Sequence, residues 1–129
     1  MGKRYEHLQK QSVGMGECND CTVKALALVS GMEYKYCHSL LAKHGRPRRG
    51  GPSWGQFYAA VKEMGLWKEE YPVKSKTVTT LGRELANVTG RFIVETSGGR
   101  HVCAVVNGVV EDWTEGRRHR VRKVWKVSW

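Results

Sequence analysis

The sequence predicts an α+β protein in which an N-terminal helical layer packs on a C-terminal antiparallel sheet. Apolar side chains recur at helical spacing within 1–65, and over 91–129 they follow the two-residue period of strands. The pair Asn107-Gly108 lies between two apolar runs, which is typical of a two-residue hairpin turn. The length of 129 residues is that of one domain, so we expect a single unit.

The first predicted helix covers 20–30. Lys24 is the only polar residue in the window 23–29, and Gly31 follows as a C-cap. A helix that is apolar nearly all round is buried, so this helix should lie at the centre of the protein. A second helix is predicted over 33–43. A third should begin at a capping box formed by Ser53 and Gln56, and a shorter fourth at Thr79 or Thr80.

Four strands are predicted in the C-terminal part, over 91–96, 101–106, 109–113 and 120–129. In the last of them, alternation places the basic residues on one face and the apolar residues on the other, as expected for an edge strand. The basic set is Arg120, Arg122 and Lys126, and the apolar set is Val121, Trp125 and Val127.

The hairpin turn determines which residues of its two strands are paired. Val106 should pair with Val109, and each step outward adds one pair until Cys103 faces Asp112. Because side chains alternate between faces, His101, Cys103 and Val105 should share a face with Val110 and Asp112. His101 and Asp112 become diagonal neighbours at a backbone separation of ~7 Å, where an imidazole and a carboxylate can meet.

A histidine oriented by an acid is half of a nucleophilic triad, and Cys21 is the candidate for the other half. Cys21 lies in the first turn of the buried helix, where unpaired amides and the helix dipole stabilise a thiolate. Each of these residues has an ordinary structural explanation when taken alone. Their joint placement predicts a catalytic set of Cys21, His101 and Asp112.

The segments "NDCTVKALALVSG" and "GGRHVCAVVNGVVEDW" resemble the Cys and His segments of papain-like cysteine peptidases. The resemblance is to small members, such as bacteriocin-processing peptidases and short papain-like proteins of bacteriophages. It implies Cys21 as nucleophile, His101 as general base and acid, and Asp112 as orienting residue. The implied fold is a helical layer whose central helix bears the Cys, packed on a sheet that bears the His.

Relatives in this family often place a Gln six residues before the Cys to complete the oxyanion hole, but here that position is Met15. Asn19 or Gln11 is the alternative donor, beside the backbone amide of Cys21. The implied activity is thiol hydrolysis of an amide, peptide or isopeptide bond through an acyl-thioenzyme, with no cofactor. A cysteine, histidine-dependent cell-wall amidohydrolase and a non-catalytic basic module of the same fold stay open as alternatives.

The formal net charge of +10 fits either an acidic or polyanionic partner or a solvated surface that is simply basic. Two basic segments, 43–51 and 116–126, carry much of it and attract acidic proteins, nucleic acid or anionic wall polymers. No aromatic residues interleave with the arginines as in single-strand binders, so nucleic acid is the secondary expectation. The candidate polyanion-binding residues are Arg46, Arg48, Arg49, Arg117, Arg118, Arg120, Arg122 and Lys123.

No stretch approaches the ~20 apolar residues of a membrane span, and the N-terminus lacks the apolar region of a secretory signal. We therefore expect a cytoplasmic protein, in the host cytoplasm if phage-encoded, with its four cysteines as thiols.

The cysteines have two alternative explanations, a zinc site and a redox pair. A zinc site would combine Cys18 and Cys21 with Cys37 and either His38 or His44, but the spacing is poor for zinc. A thioredoxin-like pair needs a strand leading directly into the helix, and the glycine-rich segment before Cys18 is a poor strand. Cys18 is thus left without an assigned role.

Overall fold

Helices occupy most of the N-terminal half of the chain and strands most of the C-terminal half. The computed structural model describes residues 3–15, 20–47, 50–97, 101–112 and 119–129. The helices are α1 (Lys3–Gly14), α2 (Cys21–Ser30), α3 (Tyr34–Lys43), α4 (Trp54–Glu63) and α5 (Val78–Glu84). The strands are β1 (Trp67–Glu70), β2 (Arg91–Thr96), β3 (Val102–Val106), β4 (Val109–Glu111) and β5 (Val121–Ser128). The α+β class is confirmed, and none of the helices in the described ranges is long and apolar enough to cross a membrane.

The central helix is α2, as its composition predicts. Every residue after Cys21 in this helix is buried. Gly31 ends it in the left-handed conformation, with φ 74°, and its N–H donates to the carbonyl of Ala27. The helix packs against β3, where Val102 and Ala104 belong to the same apolar cluster.

The sheet is antiparallel with the strand order β1-β5-β2-β3-β4. The hairpin pairs Val106 with Val109 and Val105 with Val110, as predicted. Asn107 and Gly108 both have positive φ, 48° and 83°, which is the conformation that a type I′ turn requires. The predicted hairpin and its register are therefore confirmed.

Apolar clusters cover both faces of the sheet. On one face, Ile93 and Ala104 pack with helices α1 to α4. On the other, Phe92, Cys103 and Val105 pack with the short helix α5. A capping box in which Thr77 and Thr80 bond reciprocally precedes α5, which begins one or two residues earlier than predicted.

Two elements were not predicted. Helix α1 is polar, and only a narrow stripe of Tyr5, Leu8 and Ser12 is buried. Strand β1 is short and mostly exposed, and it pairs with β5 at the edge of the sheet. Neither has an apolar pattern strong enough to indicate its structure in the sequence.

The prediction that 120–129 forms an edge strand is wrong, because β1 adds outside β5 and leaves β5 in the interior. The predicted apolar face is also wrong at one residue. Glu95 pairs with Lys123 and Thr96 pairs with Val121, so Arg122 is an extra residue in a β-bulge. Val121 therefore packs on the α5 side, whereas Trp125 and Val127 pack on the α2 side.

Candidate functional site

Cys21 is the first residue of α2 and is partly exposed. Asp20 precedes it, but the carboxylate of Asp20 does not cap the helix. This carboxylate instead accepts a 2.6 Å hydrogen bond from the Tyr34 hydroxyl and lies 3.2 Å from the Lys24 ammonium. Burial alone would raise the pKa of Asp20, but hydrogen bonds from Ser12 and Tyr34 and the charge of Lys24 lower it. The start of α2 is thus held by a buried ion pair.

Lys24 extends this buried network to α1. Its ammonium lies 3.5 Å from the Tyr5 hydroxyl and donates to the side-chain carbonyl of Gln9. Both partners lie on α1, which therefore packs against the first turns of α2. This packing holds the start of α2 in place, and Cys21 with it.

His101 and Asp112 are brought together by the hairpin. His101 directly precedes β3 and Asp112 directly follows β4. His101 Nε2 donates to Asp112, at 3.0 Å from Oδ1 and 2.9 Å from Oδ2. The exposed fractions of the two side chains are 10% and 1%. The predicted contact is therefore present. It uses Nε2 and not Nδ1, the second nitrogen of the imidazole ring.

The Cys21 thiol lies close enough to the His101 imidazole to affect its pKa, so the start of α2 is next to the hairpin. Burial alone would lower the pKa of His101, but the hydrogen bonds to Asp112 and Cys21 and their negative charges raise it to about 9. The imidazole therefore favours its protonated form at neutral pH. A protonated histidine between a thiol and a carboxylate is suited to stabilising a thiolate.

Two residues that sequence reasoning missed also contact His101. The Thr96 amide and hydroxyl donate to the His101 carbonyl, at 3.2 and 2.7 Å, and so fix its backbone. The His119 ring stacks on the His101 ring with centroids 4.9 Å apart. The Thr96 contact continues the pairing of β2 with β3, whereas the His119 contact depends on the pairing of β2 with β5, which no short sequence pattern indicates.

Cys103 lies beside the His101–Asp112 pair. The ligating atoms of His101, Cys103 and Asp112 all lie within 4.8 Å of one another. The predicted alternation had placed Cys103 on this face without giving it a role. The structure brings its thiol close to both polar groups of the pair.

Of the two candidate oxyanion donors, Asn19 lies outside the described residues, as does Cys18. Gln11 lines a groove beside Gly31 and Met32, at the C-terminal end of α2. The next residue, Ser12, hydrogen-bonds to Asp20 at the end of α2 where Cys21 lies, so Gln11 stays a candidate donor.

The candidate basic residues are not one continuous surface in the described residues. Arg46 is only 4% exposed, so it does not belong to an exposed basic surface. Arg120 and Arg122 are exposed, with Arg122 4.0 Å from Glu95, and Lys123 lies 3.8 Å from Glu70. Four candidates lie outside the described residues: Arg48, Arg49, Arg117 and Arg118.

The zinc arrangement that joins Cys21 to Cys37 does not form. The Cys37 sulfur lies 3.9 Å from the Ser30 hydroxyl, at the other end of α2 from Cys21. The ten-residue helix separates these ends by roughly 13 Å. Burial raises the pKa of Cys37 to about 11 despite its contact with Ser30, so it is a buried neutral thiol.

Comparison of the chain with protein-family models, with curated proteins and with solved structures finds no match. The chemistry of the site therefore has to follow from its own geometry. The site places a thiol beside an imidazole that is hydrogen-bonded to a carboxylate. Such a chain can hold a nucleophilic thiolate and move a proton at the imidazole.

Proposed function

We propose that the protein is a papain-like thiol hydrolase that cleaves an amide, peptide or isopeptide bond. Cys21 is the nucleophile, His101 the general base and acid, and Asp112 the orienting residue. The observation that carries the proposal is the hydrogen bond of His101 to Asp112, together with the Cys21 thiol beside this histidine at the first turn of a buried helix. A papain-like fold is supported by the packing of the Cys-bearing helix on the strand that follows the histidine.

The reaction needs two steps. The Cys21 thiolate attacks the carbonyl carbon, the C–N bond breaks, and the leaving amine takes a proton from the His101 imidazolium. Water then attacks the thioester and gives a proton to His101, and the C–S bond breaks to return the thiolate and release the acid. The first amides of α2 have no intrahelical partners, so they can donate to the oxyanion.

The preferred substrate in this proposal is acidic. Arg120 is exposed and directly follows His119, the residue that stacks on His101. A cationic side chain beside the site attracts a negatively charged segment and raises its association rate. Arg120→Glu is therefore expected to raise KM for acidic peptides and to leave neutral peptides little changed.

The proposal is tested by labelling the folded chain with iodoacetamide near neutral pH and mapping the sites by mass. We expect Cys21 to react at least about tenfold faster than Cys37 and Cys103, which are 0% and 2% exposed. His101→Ala should slow Cys21, and His44→Ala is the matched control because His44 pairs with Glu63 instead. Equal reactivity of the three cysteines, or no effect of His101→Ala, would refute the catalytic role.

The substrate class is tested with a panel of acidic peptides, neutral peptides and peptidoglycan. Cys21→Ser should abolish hydrolysis of whichever member is cleaved. Cleavage of peptidoglycan alone would identify the cell-wall amidohydrolase instead of the peptidase. Absence of cleavage across the panel, with binding of a polyanion unaffected by Cys21→Ser, would favour the non-catalytic basic module.

A further inference from the structure

The cluster of His101, Cys103 and Asp112 contains one residue that the proposed hydrolase does not use. Cys103 has a side chain that is 2% exposed, and it lies among the apolar residues of the sheet face covered by α5. Hydrolysis through Cys21 needs no second sulfur at this place. Its proximity to an imidazole and a carboxylate therefore calls for a separate explanation.

The hairpin brings three donor atoms of different kinds together at its open end. His101 and Cys103 are two residues apart along the chain, and Asp112 follows the neighbouring strand. Their ligating atoms lie within 4.8 Å of one another. Tetrahedral zinc ligands with bonds of about 2.0–2.3 Å are separated by about 3.5 Å. Rotations that move these atoms by ~1 Å would bring all three to zinc-binding distance.

The charges and donor types also match zinc. A Cys thiolate, a neutral imidazole and a carboxylate together carry two negative charges, which neutralise one Zn²⁺ ion. A neutral site is needed here because Asp112 and Cys103 are almost fully buried. Three protein ligands also leave one coordination position for water.

We propose that His101, Cys103 and Asp112 bind a zinc ion, and that the bound ion switches off the thiol hydrolase by engaging its histidine and acid. The inhibitory part rests on the proposed function, whereas the binding part does not. On binding, the Cys103 thiol and the His101 imidazolium each release one proton to solvent, and Zn²⁺ takes the place of the proton between His101 and Asp112. The imidazole can then neither receive a proton from Cys21 nor donate one to a leaving amine.

Zinc binding is tested on the full chain carrying Cys18→Ser, which removes the thiol outside the described residues. Isothermal titration with zinc should show one equivalent bound, and Cys103→Ala should weaken binding at least about tenfold. Cys37→Ala is the matched control, since Cys37 is equally buried but lies on α3. Wild-type affinity in Cys103→Ala would overturn the site.

Cobalt substitution identifies the sulfur ligand. The thiolate-to-cobalt charge-transfer band should persist in Cys21→Ser and disappear in Cys103→Ala. Should Cys103→Ala fail to fold, the band is measured on the chain with Cys21 blocked by iodoacetamide, where its absence would overturn the proposal. A band that is lost in Cys21→Ser would place the ion on the nucleophile and equally refute it.

The regulatory part is tested by labelling Cys21 in chelator and again in excess zinc. Zinc should slow labelling at least about tenfold in the wild type but not in Cys103→Ala, each compared with its own metal-free rate. Equal slowing in both would refute regulation through Cys103. If Cys21 is unreactive in chelator while zinc still binds through Cys103, the hydrolase fails and the zinc site stands. If Cys21 is reactive in chelator but no zinc binds, the zinc site fails and the hydrolase stands.

Discussion

His101 Nε2 lies 3.0 and 2.9 Å from the two carboxylate oxygens of Asp112, across a hairpin that joins residues eleven positions apart. The separation is set by the turn at Asn107 and Gly108, because one residue more or less would place the two side chains on opposite faces. Asn107 is in turn held to Gly90 through its backbone N–H and its side-chain carbonyl, at 2.8 and 2.9 Å. The geometry of the site therefore depends on the turn as much as on the polar residues.

Hydrolysis through Cys21 should fall as pH rises through about 9. His101 must be protonated to donate to the leaving amine, and the hydrogen bonds and charges that oppose its burial raise its pKa to about 9. Alkylation of Cys21 needs no proton donor, so its rate should not fall in the same range. The measurement is kcat/KM and alkylation rate from pH 6 to 10 in chelator, and a parallel fall of both would contradict the role of His101 as the acid.

The free energy of unfolding should decrease between about pH 6.5 and about pH 9. The pKa of His101 rises on folding from 6.5 to about 9, so the folded state holds the proton more tightly. This stabilisation is complete below about pH 6.5 and is lost as the pH rises through about 9. Its size is on the order of 3 kcal/mol. In the described part of the chain, the charged or titratable groups near His101 include Cys21, Cys103, Asp112 and His119.

Urea denaturation at pH 6 and pH 10 measures this loss. The His101→Gln variant serves as reference, because it retains a polar side chain but cannot titrate. The wild type should lose more stability than the variant over this range. An equal loss in both proteins would show that other groups cause the pH dependence.

Gly108→Ala should destabilise the protein by at least ~2 kcal/mol. The residue has φ 83°, and a Cβ there would lie 2.2 Å from the Ala86 carbonyl oxygen. Gly55→Ala is the control, since its Cβ would meet only the Ser53 hydroxyl at 3.8 Å. That change removes backbone entropy from the unfolded chain and should be neutral or stabilise by up to ~1 kcal/mol. Similar urea midpoints for both variants would contradict the close approach of the turn to Ala86.

Lys24→Met should destabilise the protein by about 3 kcal/mol, because it leaves the buried Asp20 carboxylate without its cation. The double variant Asp20→Asn, Lys24→Met should recover part of this loss. Lys43→Met is the matched control, since Lys43 pairs with Glu63 on the surface and should change little. Thermal and urea unfolding of the three variants check the prediction, and an equal loss at positions 24 and 43 would contradict it.

Several features of the site follow from short stretches of sequence. The apolar run after Cys21 predicts a buried helix, and Gly31 predicts where that helix ends. The turn pair Asn107-Gly108 predicts the register of the hairpin and hence the contact of His101 with its acid. These features are predictable because side-chain periodicity and turn conformation depend on neighbours along the chain.

Other features depend on the tertiary structure. Helix α1 is polar on most of its surface and is stabilised by contacts with α2, so its own pattern is weak. The bulge at Arg122 reverses the face of Val121, and the pairing of β2 with β5 brings His119 onto His101. Burial of Arg46 removes a residue that the charge pattern had placed on the surface.

The sequence by itself determined the α+β class, the central helix and the hairpin that aligns His101 with Asp112, since each follows from local periodicity or turn chemistry. Only the tertiary structure decided that the Cys21 thiol lies beside that histidine. This contact joins the N-terminal helical part of the chain to the C-terminal sheet. Its geometry comes from packing between layers, which depends on the volume and charge of many distant residues at once.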